Sequence, residues 1–449
     1  MMRCIHFVLL IVWCTQLTAS EASIDAILAR AQANAGVTAA SSCDDRTFIR
    51  RATLDLLGRV PTPEECRNFA TSGDRSKLID RLLASEEFPR YWSQLWATIL
   101  VGRSVEIADR EGLRNWLETA FAEGRPLDQM AFDLISAKGV SALHGPVNFL
   151  IGNNEDPVAP ISRVFLGVQL DCAQCHDHPF DRWTQDDHAS MQRFFDPVEF
   201  REVSGGIEVV DHGGEASEDD RPRFLTGAKP RTSAWRREMA LMTVRSKPFA
   251  RAMGNRVWQL LFGRGIVDPV DGLSQDQPPS VPKLHQALAD QLRSQQFDLR
   301  RLVATICKSE AYGRGAPDDA NNLSNAVYET FAARRLRPLL PEQLIASYAT
   351  VLRRKPPQAA TLNDGSVQFL GQASAGKGAS DPLDIQRTSQ GLLQELAADS
   401  EATLMDLDSL FMATLSRRPD EWERERLASV PASDVLYALL HCNEFVFCP

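Results

Sequence analysis

The chain has 449 residues, of which 44% are hydrophobic and 24% are charged. These fractions are typical of globular proteins and exclude a wholly disordered or collagen-like chain. Because the chain is longer than one hydrophobic core usually stabilises, two or at most three domains are expected. With 49 basic and 59 acidic residues the net charge is −10, which argues against nucleic acid as the main partner.

Residues 1–20 have the layout of a signal peptide. A basic start at residues 1–3 precedes an apolar run over residues 4–17 and small residues at 18–20. The run is shorter than the roughly 20 residues that span a bilayer, so cleavage rather than anchoring is expected. No later stretch of the sequence is long and apolar enough to span one. We therefore predict an exported protein of the periplasm or cell surface, with no transmembrane segment after signal cleavage.

Two of the nine cysteines lie in this predicted signal peptide. Exported chains meet oxidising conditions, so the other cysteines are candidates for disulfides. Their number is odd, and at least one of them therefore pairs between chains, stays free or serves another purpose. They are Cys43, Cys66, Cys172, Cys175, Cys307, Cys442 and Cys448.

Apolar spacing and capping residues predict helices over most of the chain. Apolar residues recur at helical spacing between residues 48 and 57, and Gly58 follows where a helix C-cap favours left-handed backbone. Thr62, Pro63 and Glu65 have the order of a capping box with proline in the first turn. The predicted fold is mainly α, with two multi-helical domains and a minor β or loop-rich junction.

The junction is predicted from its charge and its glycines. Residues 201–222 are rich in acidic residues and glycine, which is typical of a solvated, loop-rich segment, and a short hairpin is expected around residues 207–210. This segment divides the mature chain into a first helical domain, residues 21–200, and a second one, residues 223–449.

The sharpest chemical signal is a C-x-x-C-H motif formed by Cys172, Cys175 and His176. In this spacing two thiols add to the vinyl groups of haem and the adjacent imidazole becomes the proximal iron ligand, a reaction completed outside the cytoplasm. The predicted export agrees with this motif. The polar residues that follow it are Asp177, His178, Asp181 and His188.

Three interpretations of the motif stay open. The first is covalent haem c, for which three methionines are candidate distal ligands. The second is zinc or iron held by the thiols together with histidine and carboxylate ligands. The third is a structural disulfide between the two cysteines, without a cofactor. The methionines are Met191, Met239 and Met253, and the candidate metal ligands are Cys172, Cys175, His176, His178 and Asp181, with His188 as a further one.

A second group of polar residues surrounds two glycines. Gly263 and Gly265 flank Arg264 and let the backbone turn sharply to present its guanidinium group. An anion site is one interpretation. We favour an Arg–Asp network that locks a helix-to-loop corner, because two acids neutralise two arginines; the glycine spacing is not a P-loop or dinucleotide fingerprint. The group consists of Asn255, Arg256, Arg264, Asp268 and Asp271.

Several blocks of the sequence resemble a known family. Those at residues 48–65, 78–85 and 172–187 are similar to the cytochrome-associated domain of large secreted planctomycete proteins. Those at residues 249–271 and 443–445 are similar to the partner domain that usually follows it. The two are the paired domains of unknown function 1549 and 1553, of the PSCyt and PSD type. The resemblance implies unknown biochemical function, in a family that often accompanies a separate cytochrome c domain and sulfatase-rich polysaccharide-degrading neighbourhoods.

The chain departs from this family pattern at three places. His188, after Asp187, stands where the family typically has an aromatic residue, so the resemblance does not extend to His188 as a ligand. Residues 279–282 lack the usual histidine before the second proline, and Cys442 replaces a typical small polar residue. A bridge from Cys442 to Cys448 would therefore be peculiar to this chain.

We expect an exported redox or electron-transfer component that holds covalent haem, or a metal, at the C-x-x-C-H motif and serves a redox partner. The first alternative is a metal-assisted hydrolase of polysaccharide or sulfate ester, with Asp177, His178 or Asp181 as ligand or base, acting with polysaccharide-degradation machinery. The second is a non-catalytic cell-surface binding or scaffold protein. Whether the protein is an enzyme stays open at this point.

Overall fold

The computed structural model describes residues 23–102, 109–179, 181–215, 217, 221–274, 277–317, 324–353 and 404–448. The predicted signal peptide lies outside these residues. Within them helices dominate and the sheets are small, so the predicted mainly α fold is confirmed. In this part of the chain no helix is both long and apolar enough to cross a membrane.

Helices make up most of the described part of the chain. The α-helices are Ile24–Ala35, Asp45–Leu57, Pro63–Ser72, Arg75–Ala84, Glu87–Val101, Arg110–Ala122, Leu127–Ser136, Val147–Ile151, Val158–Pro160, Gln185–Gln192, Trp235–Arg245, Lys247–Phe262, Pro282–Ser294, Leu299–Cys307, Glu310–Gly313, Asn325–Glu329, Pro341–Val351, Leu407–Leu415, Glu421–Leu427, Ala432–His441 and Asn443–Val446. A π-helical turn at Ile161–Leu166 and 3₁₀ turns at Asp171–Gln174 and Arg193–Phe195 complete the helical set of the described residues.

The capping chemistry predicted near residue 60 is present. Gly58 ends its helix with φ of 74°, in the left-handed region. The Glu65 backbone N–H donates to Thr62 Oγ1 over 3.2 Å, and the Thr62 N–H donates to a Glu65 carboxylate oxygen over 2.7 Å. These two bonds satisfy N–H groups that the first turn of a helix leaves without a partner.

The predicted hairpin lies at the start of the acidic junction. Strands Val198–Val203 and Gly206–Asp211 pair antiparallel with Arg201 opposite Glu208, and Gly139–Val140 adds a third strand along Gly206–Asp211. A separate two-stranded sheet pairs Arg337–Pro338 with Phe447–Cys448.

One large hydrophobic core includes residues from Ile24 to Phe331 and therefore lies on both sides of the junction. Trp92 and Trp258, one from each side, are both fully buried in it. A second, smaller core is built from later helices, with Phe411 and Leu436 among its members. The division into the domains 21–200 and 223–449 stays a prediction, but both segments contribute to one core.

The buried carboxylate of Asp55 connects the two cores. Its helix, Asp45–Leu57, gives Ile49 to the large core and Leu54 to the small one. Tyr312 Oη donates to Asp55 over 2.7 Å, and Arg337 pairs with the other carboxylate oxygen. Asp55 is therefore the acceptor for two groups that lie 257 and 282 residues away in the sequence.

Positive charge around Asp55 exceeds its single negative charge. Arg334 lies 4.0 Å from the carboxylate and stacks over the rings of Phe262 and Tyr312. Burial, reinforced by the neighbouring Arg51, lowers the pKa of Arg334 to about 10. The Asp55 carboxylate is thus the negative charge that compensates a buried arginine cluster.

We expect Asp55→Asn to destabilise the protein by about 3–5 kcal/mol, because removing one partner of a buried pair leaves the opposite charges uncompensated. Chemical denaturation followed by circular dichroism measures this free energy of unfolding. The matched control is Asp80→Asn, which removes a carboxylate that pairs with Lys308 but is 59% exposed, and it should cost less than about 1 kcal/mol. Equal losses in the two variants would contradict the role assigned to Asp55.

Candidate functional site

The C-x-x-C-H motif lies on a single turn at the surface. The 3₁₀ turn Asp171–Gln174 follows Leu170, whose carbonyl accepts a 3.0 Å bond from the Ala173 N–H. Ala173 is fully buried and belongs to the large core, whereas Cys172 and Cys175 are both exposed. The turn is therefore held by its small apolar residue and presents both thiols to solvent.

His176 has one ring nitrogen engaged. Its Nδ1 lies 2.8 Å from the carbonyl oxygen of Asp177. Because a carbonyl oxygen can only accept, Nδ1 carries the proton and Nε2 holds the lone pair. Histidines that bind metals commonly donate their other ring N–H to a carbonyl in this manner, which fixes the ring and its tautomer. The exposed imidazole of His176 thus has the arrangement of a ligand that binds through Nε2.

Gln185 ties the motif to the next helix. Its backbone N–H donates over 2.8 Å to the carboxylate of Asp177, and its side-chain amide donates over 3.4 Å to the carbonyl oxygens of Gln174 and Cys175. Helix Gln185–Gln192 therefore fixes the conformation of the turn that carries the two thiols. Gln185 cannot be identified as a functional residue from the sequence alone, because a glutamine ten residues after a motif does not indicate a contact with it.

The other predicted ligands have different surroundings. The His178 backbone N–H donates to Trp183 O over 2.8 Å, and an Asp181 carboxylate oxygen accepts the Arg182 N–H over 2.7 Å. His178 and Asp181 both line a cavity of about 270 Å³ beside the motif. They share a pocket, which is compatible with binding a small molecule but does not by itself define a metal site.

His188 is a structural residue. It is buried, and its Nε2 lies 3.2 Å from the carboxylate of Asp156. Burial acts to raise the pKa of Asp156, but the bonds from His188 and from the N–H groups of Ala159 and Val158 outweigh it, and the pKa lies below its usual value. The imidazole is therefore bonded to a partly buried carboxylate and is not presented to the exposed thiols.

Among the described residues, no three or more His, Cys, Asp or Glu side chains lie close enough together to hold a metal ion. The set Cys172, Cys175, His176, His178 and Asp181 is accordingly not assembled as a closed metal site. None of the seven cysteines outside the predicted signal peptide forms a disulfide in the part of the chain that the structure describes.

The residues of the C-x-x-C-H motif fit covalent attachment of haem, but the cavities beside the motif are smaller than a pocket that encloses haem. Both thiols are exposed and the Nε2 of His176 is available for iron. The two cavities beside the motif have volumes of about 250 and 270 Å³, below the range of about 300–1,000 Å³ that encloses drug-sized ligands. Met191, Met239 and Met253 are all buried in the large core. Haem attached here would consequently lie at the surface.

The second polar group is organised around Asn255. Its side-chain oxygen accepts from the N–H groups of Ile266 and Val267 over 2.7 and 3.1 Å, and its amide donates to the carbonyls of Val267 and Val270 over 3.0 and 3.2 Å. Asn255 is itself buried. These four bonds lock the loop that follows helix Lys247–Phe262, so the helix-to-loop corner is held by Asn255 and not by arginine and aspartate side chains alone.

The two arginines of this group have partners within the protein. Arg264 pairs with Asp268 over 3.2 Å. Asp271 instead accepts from Arg163 over 3.1 Å, and Arg256 donates to the Arg163 carbonyl over 3.0 Å. Burial lowers the pKa of Arg256 to about 10, against the opposing effect of Asp271.

We expect the loss of Asn255 to lower the free energy of unfolding more than the loss of Arg264 does. Asn255→Ala removes four buried bonds and should cost at least about 2 kcal/mol. Arg264 and Asp268 are 24% and 45% exposed, so Arg264→Ala should cost only about 1 kcal/mol or less. Thermal unfolding of both variants, with and without sulfate, measures this order.

A conventional anion site would give another pattern in the same experiment. Arg264→Ala would then leave the melting temperature unchanged in buffer while abolishing the stabilisation that sulfate confers on the wild-type protein. Either that pattern or a larger loss for Arg264→Ala than for Asn255→Ala would contradict the structural role of the corner.

Two family models match parts of this sequence. Residues 23–200 match PSCyt2, Protein of unknown function (DUF1549), and residues 236–358 match PSD1, Protein of unknown function (DUF1553). No curated protein and no solved structure matches. The predicted pair of domains is thus confirmed: the chain carries a segment that matches PSCyt2, followed by a segment that matches PSD1.

Proposed function

We propose that this protein is an exported redox or electron-transfer component that carries haem covalently on its C-x-x-C-H turn. The supporting observation is the combination of two exposed thiols on one turn with an adjacent imidazole whose Nδ1 is bonded to a carbonyl. Bound in this way, haem supplies one-electron chemistry at iron.

The first step is the selection of thiols for attachment. Cys172 and Cys175 are exposed, whereas burial raises the pKa of Cys66 to about 12 and raises the pKa of Cys442 and Cys448 above its usual value. A thiol buried in this manner is a poor nucleophile and is out of reach of a large reactant. Cys172 and Cys175 would therefore be the thiols that hold haem, each adding to a vinyl group so that an S–H bond and the vinyl π bond are exchanged for a C–S bond and a C–H bond.

The second step is the orientation of the axial imidazole. The Nδ1–H of His176 donates to Asp177 O, and the Asp177 carboxylate is held in turn by the N–H of Gln185. This chain of bonds fixes the ring plane and directs the lone pair of Nε2 away from the backbone. An imidazole that is oriented before the ligand arrives loses less conformational entropy on binding.

The surface location suits exchange with a redox partner. Cys172, Cys175 and His176 are all exposed, so a partner can approach the motif without any opening of the core. The turn is nevertheless anchored through the buried Ala173, which keeps its position fixed relative to the rest of the fold.

Expression in a periplasm that contains cytochrome-maturation machinery tests the proposal. We expect a c-type absorption spectrum that survives denaturation, because thioether bonds do not depend on the fold. The double variant Cys172→Ala/Cys175→Ala should lose this spectrum completely. Absorption of the denatured protein and its mass, which should increase by one haem, are the measurements.

The matched control is Cys442→Ala, which removes a half-buried thiol outside the motif and should retain the full spectrum. A wild-type protein that is folded, colourless and of unmodified mass would contradict the proposal. Stoichiometric zinc in such a preparation by elemental analysis would favour the metal-assisted hydrolase instead.

A further inference from the structure

A third cavity, of about 490 Å³, is lined by none of the residues of the C-x-x-C-H turn. Its volume falls in the range of about 300–1,000 Å³ that is typical of small-molecule sites. Its walls come from residues 39–48, from the start of helix Arg75–Ala84 and from residues 307–314. We call it the 75/308 cavity, after Arg75 and Lys308, which both line it.

Hydrogen bonds hold the walls of the 75/308 cavity together. The Cys43 backbone N–H donates to Gly313 O over 2.9 Å, which joins the first segment to the third. Arg75 joins the second segment to the first, because its Nη1 donates to Ser42 Oγ over 2.9 Å and its Nη2 donates to Cys43 O over 2.6 Å. Walls fixed in this way lose little conformational entropy when a ligand binds.

Positive charge predominates in the lining of the 75/308 cavity. Arg75, Lys308 and Arg314 line it together with a single acidic residue, Glu310. The partners of Arg75 and Lys308 are carboxylates that are 51% and 59% exposed and do not line the cavity. Because exposed ion pairs contribute little energy in water, Arg75 and Lys308 can exchange part of this pairing for an anion in the cavity.

Arg314 and Lys308 also bring unused hydrogen-bond donors. Arg314 is only 7% exposed, and its Nη1 donates to Phe331 O over 2.8 Å. In the described part of the chain neither Nε nor Nη2 of Arg314 makes a hydrogen bond, and both retain accessible surface. The Lys308 ammonium has three N–H donors, of which the described residues use one, in the bond to Asp80. A ligand rich in acceptor oxygens would match this excess of donors.

We propose that the 75/308 cavity binds a small phosphate monoester. A phosphate monoester carries close to two negative charges and three strong acceptor oxygens, whereas a carboxylate has one charge and two oxygens. Lys308 and Arg314 would donate to the phosphate oxygens, and the organic part would occupy the remaining volume. The proposal does not depend on haem attachment, because none of its contacts comes from Cys172, Cys175 or His176.

Isothermal titration calorimetry in phosphate-free buffer tests the proposal with three probes that share a three-carbon body: glycerol 3-phosphate, glycerate and glycerol. We expect glycerol 3-phosphate to bind at least about tenfold more tightly than glycerate, the difference that one further charge-assisted hydrogen bond supports. Glycerol should show no binding. The titrations use the full exported chain and are repeated on Cys172→Ala/Cys175→Ala, where the preference for glycerol 3-phosphate should persist.

Three variants locate the binding. Lys308→Gln should weaken binding of glycerol 3-phosphate by about tenfold, because it removes a cation that lines the cavity. Glu310→Gln should strengthen the binding, because it removes the negative charge that repels the phosphate, and damage to the fold would not produce a gain. Arg301→Gln, which removes a 70% exposed cation outside the cavity, should bind like the wild type. Circular dichroism checks that each variant is folded.

The proposal is overturned if folded wild-type protein binds no glycerol 3-phosphate, if glycerate binds equally well, or if Lys308→Gln and Glu310→Gln do not change the affinity in opposite directions. These outcomes are distinct from failure of haem attachment. That failure would show in the absorption spectrum and would leave the titrations on the cysteine double variant unchanged.

Discussion

The Asp55 carboxylate is the interaction on which the arrangement of the two cores depends. Its helix contributes side chains to both cores, and its partners Tyr312 and Arg337 lie 257 and 282 residues away in the sequence. A buried charge is tolerated only where hydrogen bonds and opposite charge compensate its desolvation. The pairing of Arg337 with Asp55 therefore fixes where the later part of the chain packs. In the same arrangement the strand Arg337–Pro338 pairs with Phe447–Cys448.

Local chemistry explains which features could be predicted from the sequence. Caps, helix ends and the hairpin depend on residues within a few positions of one another, and these features occur at Gly58, at Thr62 with Glu65, and at the strand Gly206–Asp211. The C-x-x-C-H motif is local as well, and its thiols lie together on one exposed turn. For such features the sequence contains all the partners within one short window.

The remaining features depend on burial and on distant partners, for which a single sequence carries little signal. The residues next to His188 in the sequence do not indicate that His188 is buried and bonded to Asp156. Likewise, the residues next to Asp271 do not indicate that Asp271 pairs with Arg163 and not with Arg256. The cavity of about 250 Å³ beside the C-x-x-C-H motif is the clearest case, because its walls come from five separate segments of the chain. Trp183 lies in the block 172–187 that resembles the family, but its burial depends on residues that are distant in the sequence.

The shared core and the cavity of about 250 Å³ offer a physical reason for the pairing of the two family segments. Trp183 and Val168 come from the PSCyt2 segment, whereas Pro248 and Leu273 come from the PSD1 segment. Helix Lys247–Phe262 packs against the π-helical turn Ile161–Leu166, which precedes the thiol-bearing turn. Separated from its partner, the PSCyt2 segment would expose this apolar surface to water, at a cost proportional to the apolar area exposed. The π-helical turn that leads to the C-x-x-C-H motif is thus held in place by both segments.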